Sequence, residues 1–232
     1  MPRTLTAVVL LLLAPLLQAH DNETLFNKVT LQAEARREVP NDEMTVMLTA
    51  EHQGSDPSEL AERVNQDMAW ALDLAKKESA IDVETRGYTT SPIYGKATDS
   101  GNRIISGWRV SQQLQLKTLE FPVLTELLGT LQQRLQITRM GFSPTSDTRK
   151  KHQNELISEA MEAFKERVAI VQKGMDGRDY RIVELNVSTG GFGYRPMAMA
   201  DMAVSRMESA APAVEGGTTE VTVTVSGSVQ FY

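Results

Sequence analysis

The sequence contains no cysteine. That excludes a disulfide framework, a thiolate-ligated zinc or iron–sulfur centre, and a thiol nucleophile. Histidine is scarce as well, with three in 232 residues, which leaves little material for a general base or an imidazole metal site. Positive charge is not in excess. Lys and Arg number 24 against 30 Asp and Glu, for a formal net charge of −6, so the basic footprint of a nucleic-acid binder is missing. Beyond the N-terminus there is no uncharged apolar run near the roughly 20 residues that a membrane span needs. What remains is an ordinary globular mixture, 41% hydrophobic and 23% charged, long enough to bury a substantial core.

The N-terminus reads as an address. Met1-Pro2-Arg3 carries one positive charge, residues 7–17 are free of charge, and Gln18-Ala19 precedes the polar His20-Asp21-Asn22-Glu23. A basic start, an apolar run of about 11 residues and a small residue at its exit make a secretory signal peptide. Cleavage after Ala19 is expected, leaving residues 20–232 as one domain, exported to the periplasm with an outer-membrane association open. No cysteine follows the apolar run, so lipid attachment at such a residue is excluded. Loss of Arg3 makes the mature chain one unit more negative.

Downstream, period-two and period-three-to-four patterns take turns. Val29, Leu31, Ala33 and Ala35 alternate with polar residues, and so do Met44, Val46 and Leu48. Each is a half-buried strand. Pro40-Asn41-Asp42 separates them, so a hairpin is expected. Asp56-Pro57-Ser58-Glu59 opens a helix over 57–79: Asp56 as cap, Pro57 in the first turn, Glu59 reaching back, and Lys76 and Lys77 in the last turn. Extended segments follow at 81–94 and 108–116. A second helix begins at Phe121-Pro122 and carries Leu124, Leu128, Leu131 and Leu135; a short strand spans 137–142. The longest helix covers 147–174, with Gly174 as its C-terminal cap. A strand at 181–188 and a terminal strand from Val221 to Phe231, broken near Gly227, complete the order ββα-ββα-βα-ββ. This predicts an α+β fold of antiparallel sheets packed with three helices. Residues 189–217, rich in Gly, Ala, Met and Pro, are expected to form a flexible loop, Gly190-Gly191-Phe192-Gly193 included.

Several short motifs recur in a set order: Pro40-Asn41-Asp42; Tyr88 with Pro92-Ile93-Tyr94; Ile105-Ser106-Gly107-Trp108 with Gln112. Then come Gly141-Phe142-Ser143-Pro144-Thr145-Ser146-Asp147 before a helix with Glu159-Ala160 and Ala163, and Gly216-Gly217 before Val-x-Val-x-Val. In this order the chain resembles the SIMPL, or DUF541, family of exported bacterial proteins. Two departures stand out: Ala33 and Ala35 where the family carries glycines, and Gly216-Gly217 where it carries Pro-Gly. The resemblance implies an α+β fold, an envelope location and an association with oxidative-stress defence. It implies no catalytic residues.

Chemistry is sparse. His20 sits at the expected cleavage point. His52 stands near a strand end beside Glu51. His152, Glu155 and Glu159 share one helix face and could hold half a metal site, or simply form a solvated charged face. No Gly-x-Ser-x-Gly elbow occurs, and the glycine run near 190 lacks the lysine of a phosphate loop. Met197, Met199, Met202 and Met207 place four of 11 methionines within 13 residues. Thioethers are soft ligands for Cu(I), reversible oxidant sinks and adaptable contact surfaces, and they are also plain filler in a small-residue loop. The reading that fits best is a non-enzymatic exported protein without a cofactor, acting by self-association or by contact with an envelope partner. The alternative is a soft-metal or oxidant-buffering protein using the four methionines.

Overall fold

The alternating apolar positions form strands, and the three- and four-spaced ones form helices. The computed structural model describes residues 26–97, 103–190, 192–193 and 214–232. In chain order it contains β1 (Lys28–Pro40), β2 (Glu43–Gly54), α1 (Pro57–Ala75), β3 (Ile81–Ala97), β4 (Arg103–Thr118) and α2 (Phe121–Leu131). These are followed by β5 (Gln136–Ser143), α3 (Ser146–Gly174), β6 (Tyr180–Ser188), β7 (Phe192–Gly193) and β8 (Thr218–Phe231). The fold is α+β, with three helices and wholly antiparallel pairings. No helix among the described residues is long and apolar enough to cross a membrane.

Two sheets each carry their own helices. The first has the order β3-β4-β2-β5. Its inner face, with Val46, Leu48, Leu114 and Leu116, packs against Val64 and Met68 of α1 and Leu124 and Leu128 of α2. The second has the order β1-β8-β6, with β7 also paired to β8. There α3 buries Leu156, Ala160, Phe164 and Val168 against Val221, Val223, Val225 and Val229.

The expected β1–β2 hairpin does not form. β1 pairs with β8 along its whole length, from Lys28 opposite Gln230 to Pro40 opposite Thr218, whereas β2 pairs with β4 and β5. A hairpin turn needs the polar groups of its central residues to close on each other. Here the Asn41 backbone N–H is donated to the Gly217 carbonyl at 3.0 Å, so the chain crosses from one sheet to the other.

Smaller boundaries also moved. Asp56 caps α1 as expected, accepting from the Ser58 backbone N–H at 2.8 Å, but Glu59 pairs with Arg63 rather than with the cap. The helix stops at Ala75, so Lys76 and Lys77 lie beyond its last turn. The end of α3 is wound off by Asp176 and Gly177, with φ of 58° and 73°, not by Gly174. β8 runs unbroken through Gly227. A Cβ there would meet the Glu184 carbonyl at 2.6 Å and Phe164 at 3.1 Å, so the glycine serves close approach instead of a break. Within the segment expected to be a flexible loop, Phe192 and Gly193 pair with Val221 and Glu220.

Candidate functional site

The described histidines each lie beside a carboxylate. His52, on β2, has Nε2 at 2.8 Å from Asp67 Oδ2 of α1. Asp67 also meets Arg134 at 3.5 Å, and that guanidinium lies 4.7 Å from the Trp70 ring centre. This holds an imidazole against a carboxylate, two of the three roles of a nucleophilic triad. Among the described residues no hydroxyl or amine joins His52 as a nucleophile.

His152 is placed on α3 with Glu155 and Glu159, as their spacing predicts. Across from them, Arg37 of β1 forms ion pairs with both Glu155 and Glu159. Its Nη1 lies 3.3 Å from His152 Nδ1. The Arg37 hydrogen bond is the main reason the Glu155 carboxyl is held below its ordinary range. Arginine therefore occupies the position a cation would take, and the cluster serves to fasten α3 to β1. No group of three or more metal-ligating carboxylates and histidines occurs among the described residues. His20 and Met197, Met199, Met202 and Met207 lie outside the described residues.

A third cluster was not legible as a site. Motifs far apart in the chain converge where β1 passes into β2. Asn41, 9% exposed, donates from Nδ2 to the Gly216 carbonyl at 2.7 Å and accepts from the Thr219 hydroxyl at 2.7 Å. Asp42 turns the other way, to the start of α3. It accepts from the Thr145 backbone N–H at 2.5 Å, the Thr145 hydroxyl at 3.1 Å and the Thr148 hydroxyl at 2.5 Å. Burial pushes its carboxyl up, but these donors together outweigh it and hold Asp42 below the usual range. Gly216 sits against the same knot. A Cβ there would meet the Asn41 carbonyl at 2.6 Å and Phe121 at 2.9 Å, and Gly217 follows with φ of 62°. The Asn41 and Asp42 side chains thus bond within the chain on both sides, and this marks the knot as structural.

Surface features remain. One shallow depression, of about 410 Å³, is lined by Arg181, Gln230 and Tyr232; another, of about 340 Å³, by Met47, Gln113, Thr138 and Arg139. Among the described residues neither is lined by a histidine, an aspartate or a glutamate. Exposed apolar side chains stand on the β3–β4 pair and on β6 instead. Tyr88, Tyr94, Ile104 and Ile105 are exposed on β3 and β4, and Ile182, Val183, Leu185 and Val187 on β6. The β3–β4 ribbon outruns its neighbour: β2 leaves β4 at Trp108, while β3 and β4 stay paired to Ala97 and Arg103.

A family model described as SIMPL, protein of unknown function (DUF541), matches residues 29–229. No curated protein matches the chain. The convergent motifs at Asn41–Asp42, at Thr145 and at Gly216–Gly217 fall inside that match.

Proposed function

Since the chain belongs to the SIMPL family (DUF541), whose function is unknown, we propose that it is a non-enzymatic envelope protein that acts by self-association. The observation that carries this reading is the set of apolar side chains left exposed on regular strands. A surface of this kind on a well-paired sheet marks a contact site. Export through residues 1–19, cleaved after Ala19, gives the mature chain its place in the periplasm, and envelope or oxidative stress is the setting the family resemblance implies.

The test is the mass of the mature chain, residues 20–232, by light scattering across micromolar concentrations. An assembly of two or more copies supports the reading. A monomer throughout that range, with a native far-UV spectrum, contradicts it.

A further inference from the structure

Along β2 and β4 the residues that alternate with the buried Val46, Leu48, Leu114 and Leu116 face away from α1 and α2. This outer face of the first sheet holds the depression of about 340 Å³ bounded by Met47, Gln113, Thr138 and Arg139. A bulge shapes it. β5 pairs Arg139 with Met47 and Ile137 with Leu48, so Thr138 is the extra residue between them. Neighbours on a regular strand point to opposite faces. Here Thr138 and Arg139 both border one depression, and the Thr138 hydroxyl donates to the Met47 carbonyl at 3.1 Å. Bulges re-aim side chains in this way beside functional sites.

The polar groups around it are unspent. Among the described residues neither the Arg139 guanidinium nor the Gln113 amide makes a hydrogen bond or ion pair within the chain. Thr49 stands on the same face, two residues from Met47 and directly opposite Gln113. It is 9% exposed, and its Oγ1 is buried without a hydrogen-bond partner. Native proteins pair nearly all such groups, so an unmet hydroxyl beside an unused amide calls for a partner from outside the chain.

The chemistry of these residues selects a ligand class. Arg139 brings a positive charge to a chain of net charge −6, and its planar fork matches a carboxylate. Met47 supplies soft apolar contact for a short carbon skeleton. The Thr138 oxygen, its proton already given to Met47, can only accept, so the ligand brings a donor as well. Among the described residues no aspartate or glutamate lines the depression, so that donor is a neutral hydroxyl and not an ammonium. The volume lies near the lower end of small-molecule sites, which fits a ligand the size of one sugar ring. We propose that this depression binds a small hydroxylated carboxylate of the sugar-acid type. The carboxylate sits on Arg139, a hydroxyl donates to Thr138, and the Gln113 amide bridges the ligand and the Thr49 hydroxyl. The site is independent of the self-association reading.

The probe is glucuronate, titrated calorimetrically into the mature chain, with glucose and inorganic phosphate as comparisons. Saturable binding with a Kd of about 1 mM or tighter is expected for glucuronate, and none over the same range for glucose, which lacks the carboxylate. Phosphate, which offers charge without a carbon skeleton for Met47, is expected to bind more weakly than glucuronate. Arg139→Gln is expected to weaken glucuronate binding by about tenfold or more, and Gln113→Val to weaken it as well. Both side chains are exposed on paired strands, so the far-UV spectrum and thermal midpoint of the variants should match those of the native chain. Absence of saturable glucuronate binding, equal affinity for glucose or phosphate, or full affinity in either variant overturns the proposal. None of these outcomes depends on the mass of the chain.

Discussion

Asn41 and Asp42 are adjacent and face opposite directions, and most of the architecture turns on that. Asn41 ties the chain to Gly216, Gly217 and Thr219; Asp42 ties it to Thr145 and Thr148. Hydrogen bonds to a charged group contribute roughly 1.5–3 kcal/mol each, reduced where one deletion lets neighbours re-pair. Asp42→Ala is therefore expected to destabilise the fold by about 2–4 kcal/mol in denaturant melts. Asp42→Asn keeps the shape and removes the charge. Because the folded carboxyl sits below its ordinary value near 3.8, its contribution is complete above that value and is lost as pH falls through and below it. Stability of the native chain should thus drop faster than that of Asp42→Asn as acid is added from pH 5 to pH 3 (roughly the carboxylate range); parallel curves would refute the assignment. Gly216→Ala meets the Asn41 carbonyl, a backbone atom with little room to yield. A loss of about 1–3 kcal/mol is expected from such overpacking, and a neutral result would show that the knot is looser than its distances indicate.

The helices and most strands could be read from periodicity because each buries one face. Leu156, Ala160, Phe164 and Val168 recur every fourth residue along one face of α3, and those residues are buried. Phe164 lies beneath Gly227 at the centre of that core. Phe164→Ala is expected to cost about 3–5 kcal/mol, seen as a lower denaturation midpoint with an unchanged slope. Pairing was far less legible. β1 and β8 look like any two alternating strands, and nothing local records that they join across nearly the whole chain. The β1–β2 hairpin was the natural reading of a short polar break, and it failed because Asn41 and Asp42 bond to distant partners. β6 misleads in another way. The strand itself is where it was expected, and its apolar residues Ile182, Val183, Leu185 and Val187 are exposed. Periodicity reports which residues are apolar, not whether the molecule covers them. For the same reason the candidate contact surface could not be found from sequence, while the half metal site on α3 could. Its three residues are where their spacing puts them, and only Arg37, from another element, shows that they serve an ion pair.

At the scale of the whole molecule, an acidic chain without cysteine keeps two helix-covered sheets joined through one polar knot, and leaves one sheet edge charged and the other apolar. Hydrophobic packing and internal hydrogen bonds, without disulfides, hold it together. The same composition predicts that added salt strengthens self-association, since screening weakens repulsion between like-charged copies while leaving an uncharged strand contact untouched. A mass that falls as salt rises would instead indicate an assembly held by ion pairs. On this reading the exposed strands are covered by another copy of the chain. The decisive measurement is the native mass of the mature chain at micromolar concentration, taken beside that of Leu185→Lys. A multimer is expected for the native chain and a smaller species for the variant. A native chain that stays monomeric, correctly folded and at every concentration sampled would contradict it.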